Sequence, residues 1–132
     1  MNNLARILIF QHNTIKFITP LSTFDSILPN MQIRKDEHRF YIVHKEEKIP
    51  FLTYYKNESI EDKYALIVLL RMRVDQEIRK IALGIDAVPI FAEIDCNHIV
   101  WKTESELLVT IIVNDQPPVL ANLLDIKLLK GL

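Results

Sequence analysis

The chain has 132 residues, 49% apolar and 25% charged, with 16 basic and 17 acidic side chains and a net charge of −1. That length suits one domain or two closely packed subdomains, with enough core to need neither a metal nor a disulfide staple. The balanced charge excludes the basic footprint of a nucleic-acid-binding protein.

Cys96 is the single cysteine, so no internal disulfide forms, which fits a reducing compartment. Arg6 precedes only a short apolar stretch without a small-residue cleavage site, unlike a signal peptide. The longest apolar run, residues 64–70, is far short of the ~20 residues a membrane helix needs. A cytoplasmic protein without membrane insertion is expected.

In chain order, residues 6–10 and 14–18 read as two strands around a turn at 11–13. Pro20 redirects the chain, and apolar residues at 21, 24, 27 and 28 have helical spacing, with Ser22 as an imperfect cap. Residues 30–38 are polar. Residues 39–43 and 48–53 form a hairpin around His44-Lys-Glu-Glu47, with Pro50 marking an edge or bulge. The continuous apolar run 64–70 predicts a strand buried on both faces, pairing with 78–85 across a charged loop at 71–77. A short helix or turn is expected over 86–94 and a polar connection over 95–105. Strands are expected over 106–113 and 119–124, around the stiff turn 114–118, with a short amphipathic helix near the C-terminus. Many short strands and polar turns define an all-β protein, a barrel or sandwich.

The sequence also echoes itself. The apolar rhythm of 17–27 returns at 81–91, and the strand pair of 41–53 returns at 110–125. Two similar β units in a single domain covering 1–132 are expected, with paired binding surfaces rather than one catalytic pocket.

Motifs for chemistry are sparse. Two glycines are too few for a phosphate-cradling loop, and no nucleophile elbow or helix-borne histidine pair occurs, so no cofactor is expected. Asp95, Cys96 and His98 resemble metal ligands but have no partner motif; a polar loop is the expected reading, with no metal. A Cys96–His98 nucleophile pair would need a third orienting group that the sequence does not supply. His44, Glu46 and Glu47 share a short turn, where solvation works against acid–base chemistry. The basic cluster Arg71, Arg73, Arg79 and Lys80 is interrupted by Asp75 and Glu77 and reads as solvated. Tyr54 and Tyr55 lie past a strand end as candidate surface anchors. Trp101 is a candidate interface residue or a lid over one end of a barrel.

Five segments together resemble the CheW-like domain of bacterial chemosensory systems. Pro20-Leu-Ser-Thr-Phe-Asp-Ser-Ile27 is similar to the family's Pro-Ile-Asp-x-Val-x-Glu-Val stretch. Phe40-Tyr-Ile-Val-His-Lys-Glu46 stands at its Gly-Val-Ile-Asn-Leu-Arg-Gly hairpin, and Lys48-Ile-Pro-Phe-Leu-Thr53 at the return strand. Ile81-Ala-Leu-Gly-Ile-Asp-Ala-Val88 resembles Val-Gly-Leu-Leu-Val-Asp-x-Val, and Leu123-Leu-Asp-Ile-Lys-Leu-Leu129 the closing Leu-Leu-Asp-Leu-x-x-Leu.

The resemblance implies two intertwined five-stranded SH3-like β barrels. It also implies a non-enzymatic adaptor coupling a chemoreceptor's cytoplasmic tip to the regulatory domain of a CheA-type histidine kinase, in chemotaxis or type IV pilus motility. The hairpin departs from the family. Its arginine corresponds to Lys45, which keeps the charge without the planar fork, and its glycine to Glu46; an aspartate of the return strand is Thr53. His44, Lys45, Glu46, Thr53 and Trp101 are thus the candidate partner-binding residues. Two rival readings are a small enzyme or ligand-binding barrel using His44, Glu46 or His98, and an assembly subunit that oligomerises through 123–132 without kinase coupling.

Overall fold

The computed structural model describes residues 4–12, 15–37, 39–54, 64–95, 99–103, 107–111, 119–123 and 129–130; side chains at 53, 54 and 74, and from 99 onward, lie outside that description. The protein is all-β. Fourteen strands and one 3-10 turn, Leu21–Thr23, are found among the described residues. The strands are β1 (Leu4–His12), β2 (Ile15–Pro20), β3 (Phe24–Pro29), β4 (Arg34–Asp36), β5 (Arg39–His44), β6 (Glu47–Pro50) and β7 (Thr53–Tyr54), then β8 (Leu66–Val74), β9 (Glu77–Ile85), β10 (Ile90–Asp95), β11 (Ile99–Thr103), β12 (Leu107–Ile111), β13 (Val119–Leu123) and β14 (Leu129–Lys130).

They form a six-stranded sheet β10-β1-β2-β13-β12-β11, two three-stranded sheets β3-β8-β9 and β4-β5-β6, and the pair β7-β14. Pairing within the sheets is antiparallel except between β2 and β13, where Asn122 lies beside Phe17 and Leu123 beside Ile18; an isolated parallel bridge, Phe51–Ala82, links two of the sheets. That parallel contact ties the two ends of the chain into one sheet.

The run at 67–70 is fully buried on both faces, as its uninterrupted hydrophobicity predicts. Alternate residues feed different cores. Val68 and Leu70, with Ile81, Leu83 and Ile85 of β9, pack against Leu8, Phe10, Phe17 and Leu52. Ile67 and Leu69, with Ala82, face Ile42, Ile49, Phe51 and Tyr64. The β8–β9 hairpin is therefore a wall between two cores. β1 behaves alike, giving Leu8 and Phe10 to the first core and Ile7 and Ile9 to a third with Ile18 and Ile94.

Several expectations are corrected. Residues 21–28 are not a helix: the 3-10 turn gives way to β3, and Ser22 caps nothing. The cause is a bulge at Asp25, where the register on β8 slips between Phe24 and Ser26. The inserted residue leaves Phe24 opposite Leu70 and Ile27 opposite Val68, so positions three apart share a face and mimic helical spacing. Residues 86–87 are bends and 88–89 are irregular, and β10 replaces the expected helix over 86–94 because its backbone pairs with the side of β1 away from β2, from Leu4 to Ile9. The polar stretches 30–38, 71–77 and 95–105 contain β4, the tip of the β8–β9 hairpin and β11, each stabilised by an antiparallel neighbour. β1 runs on through His12, which pairs with Ile15 instead of forming a turn. Near the C-terminus Leu129 and Lys130 pair as strand with Tyr54 and Thr53. The turn 114–118, Tyr55, Cys96 and His98 lie outside the described residues.

Two hairpins turn without glycine. Lys45 and Glu46 (φ 50° and 63°) and Asp75 and Gln76 (φ 48° and 70°) occupy left-handed backbone. Both loops have two residues between paired strand ends, and positive φ at both central positions makes each a type I′ turn, whose twist matches that of the flanking strands.

Candidate functional site

The residues singled out in the sequence fall on three separate sheets. His44, Lys45 and Glu46 are together at the β5–β6 turn, His44 half-buried and the other two exposed. Thr53 lies on β7, opposite Lys130. Trp101 sits on β11 at the far edge of the six-stranded sheet, opposite Val109. The side chains of Thr53 and Trp101 lie outside the described residues. The structure brings the turn residues together but does not gather all five into one surface.

Two other surfaces have the shape of binding sites. The first is the β10 edge. Among the described residues this strand pairs with β1 alone; Val88 just before it and Ile90 and Phe91 at its start are 73%, 59% and 50% exposed. Phe91 meets Phe24 edge-on at 5.2 Å between centroids, so the exposed patch continues onto β3. Adjacent apolar residues on opposite faces of an edge strand can offer both main-chain pairing and side-chain burial to a partner.

The second is an open groove of about 750 Å³ where the two three-stranded sheets meet. Tyr41, Lys48 and Pro50 line one wall, and Arg71, Ile78, Arg79 and Lys80 the other. Lys48 Nζ donates to Asp36 Oδ2 at 2.6 Å and lies 4.3 Å from the Tyr41 ring centroid. The Lys48 hydrogen bond holds the Asp36 carboxyl below its ordinary value, and Asp36 in turn raises Lys48. Lys80 reaches Glu47 across the groove at 3.4 Å. Arg71 bonds Asp25 at 2.7 Å. Burial pushes the Asp25 carboxyl up, but hydrogen bonds from Arg71 and Ser26 and the charges of Arg71 and Lys80 outweigh it, holding it below the carboxylate range. Arg39 and Arg79 also line the groove and have no carboxylate partner among the described residues.

Behind the second core lies a buried polar contact that the sequence did not advertise. His12, 1% exposed, donates from Nδ1 to the Gly84 carbonyl at 2.6 Å and stacks on Tyr64 at 5.8 Å. Desolvation lowers the His12 pKa; the Gly84 bond and the Asp86 charge oppose this without overcoming it. Gly84 leaves room for Tyr64: a Cβ there would stand 2.1 Å from the ring.

Among the described residues no three His, Cys, Asp or Glu side chains cluster as a metal site. No helix among them is long and apolar enough to cross a membrane. No model of a known protein family matches the chain. No curated protein matches it either.

The signals for the two surfaces were present in the sequence. The basic cluster is solvent-facing, with Arg71, Arg73 and Arg79 exposed and Lys80 half-buried, but its convergence on β6 follows only from sheet packing. Val88, Ile90 and Phe91 fall where the sequence predicts a helix or turn, which hides an apolar edge.

Proposed function

We propose that the chain is a non-catalytic adaptor of the CheW-like type, coupling a chemoreceptor's cytoplasmic tip to the regulatory domain of a CheA-type kinase in a bacterial chemosensory system. The observation that carries this reading is the exposed apolar edge at β10, with Val88 just before the strand and Ile90 and Phe91 on it open to solvent, and with β1 its one strand partner among the described residues. Such an edge suits a partner's strand or apolar side chains better than it suits a small molecule.

The barrel architecture belongs to the same proposal. Sheets β3-β8-β9 and β4-β5-β6 enclose the second core and touch at the Phe51–Ala82 bridge, as halves of one SH3-like barrel would. The strands of the six-stranded sheet would supply the other barrel. The sequence echo fits this: β2 passes through the 3-10 turn into β3, and β9 through the connection at 86–89 into β10.

A pull-down from the native cell tests the reading. A CheA-type kinase or a chemoreceptor should be retained by the wild-type chain and lost with Ile90→Asp. Retention of neither by the wild type would refute it.

A further inference from the structure

The groove between β6 and β9 is held open by the sequence. These two edge strands run parallel and are joined at one point, where Leu52 N–H donates to the Ala82 carbonyl at 2.9 Å. Phe51 N–H points the other way, to the Phe40 carbonyl at 2.9 Å. Successive strand amides alternate in direction, so the amide of residue 50, like that of 52, would face β9. Residue 50 is proline and has no N–H. The next rung of a β6–β9 ladder, from 50 to the Lys80 carbonyl, cannot form. The strands part there, and the groove opens toward Glu47 and Ile78.

By the same alternation, Ala82 having accepted from Leu52, the main-chain groups of Ile78 and Lys80 face the groove. The edge from Glu77 to Lys80 is about 13 Å long at ~3.3 Å per residue, enough for a four-residue extended segment. Arg79 and Arg39 supply cationic charge without carboxylate partners among the described residues, and Ile78, 69% exposed, supplies an apolar contact. The lining holds five cations, Arg39, Lys48, Arg71, Arg79 and Lys80, against three carboxylates, Asp36, Glu37 and Glu47, and of these Asp36 and Glu47 are already engaged by Lys48 and Lys80.

We propose that the groove between β6 and β9 is a docking slot for an extended acidic peptide of a partner protein, which adds as a strand to the free edge of β9 at Ile78 and Lys80. Arg39 and Arg79 pair with its carboxylates, and Pro50 keeps the slot from closing on itself. The slot is separate from the β10 edge, so the two surfaces can be tested independently.

The probe is a fluorescein-labelled peptide, Asp-Val-Glu-Val-Asp-Leu-Glu, titrated by fluorescence anisotropy at low and high salt. Three comparison peptides carry lysine at the acidic positions, proline at the central ones, or a scrambled order. The acidic peptide should bind, weaken with salt, and exceed the lysine and proline peptides at least tenfold. Arg39→Glu with Arg79→Glu should reduce its affinity at least tenfold. Ile78→Pro, which removes only an outward amide, should reduce it comparably with the β8–β9 pairing intact by amide hydrogen exchange. Pro50→Val restores the missing donor; it should raise the melting temperature and abolish binding as the seam zips shut. Ile90→Asp should leave peptide binding unchanged. Absence of binding, equal binding of the lysine peptide, or unchanged affinity in the charge-reversed or Ile78→Pro variant would each overturn the proposal. So would a Pro50→Val variant that still binds.

Discussion

Gly84→Ala is expected to be among the most destabilising single-methyl changes in this protein. The added Cβ would lie 2.1 Å from Tyr64 Cγ and 2.2 and 2.4 Å from its two Cδ atoms, where ordinary contact begins near 3.4 Å. Relief requires about 1.3 Å of movement between a buried strand and a buried ring. Neither is free to give. Tyr64 is wedged between His12, stacked at 5.8 Å, and Phe51, 5.7 Å away, while the Gly84 carbonyl accepts from His12. Overpacking typically costs ~1–3 kcal/mol, and a clash with two fixed sides belongs at the upper end. At about 3–5 °C per kcal/mol for a chain of this size, the melting temperature should fall by about 10 °C. Thermal unfolding followed by circular dichroism measures it. A double-mutant cycle with Tyr64→Ala isolates the cause: removing the ring should leave Gly84→Ala almost without further effect. A Gly84→Ala variant melting within 1 °C of wild type, or additive effects in the cycle, would refute the packing argument.

Acid should weaken the fold through His12. Its folded-state pKa lies below its unfolded value, so its contribution is complete above the unfolded value of about 6.5 and is lost as pH falls through the folded one. Urea melts of wild type should shift to lower midpoints from pH 7.5 to 5; His12→Gln, which keeps a donor but cannot titrate, should flatten that slope, and an unchanged slope contradicts the assignment. The glycine-free turns should be improvable: Glu46→Gly and Gln76→Gly should each stabilise by about 0.5–1 kcal/mol, since an L-residue in left-handed backbone carries a penalty of that order that glycine largely escapes. Reversing both charges at the exposed turn tip, Lys45→Glu with Glu46→Lys, should leave the melting temperature within about 1 °C, as exposed charges count for little, yet weaken binding of the kinase regulatory domain in calorimetry. Unfolding of that variant would make the turn structural rather than a recognition element.

The strands most legible in the sequence were those whose burial is simplest. Residues 40–43 are a short apolar run around the buried Ile42, and 66–70 are apolar throughout, the second because its alternate residues feed two cores. β3 was hidden because the Asp25 bulge shifts the phase of alternation, a cause that lies in its pairing with β8. His12 reads as a polar turn residue; it is buried because the Gly84 carbonyl, 72 positions away, satisfies it. Pro50 was the most informative single residue for the groove. The sequence places it at an edge, and the structure adds that its missing N–H faces β9. The groove's cations were visible as a cluster, but Arg39 and Lys48 reach the same space only because β5 and β6 lie against the β8–β9 hairpin. The proposed partner-binding set is dispersed for a related reason: the hairpin residues and Thr53, grouped by resemblance, and Trp101, chosen for its residue type, are distributed over separate sheets.

The claim that this chain is an adaptor is tested most directly by isothermal titration of the regulatory domain of a CheA-type kinase from the same organism into wild type and into Val88→Asp with Ile90→Asp. The wild type should form a one-to-one complex in the micromolar range, and the variant should bind at least tenfold more weakly, about 1.4 kcal/mol, with its fold intact. No heat of binding with the wild type, or equal affinity of the variant, would contradict the assignment of the β10 edge as the kinase-binding surface.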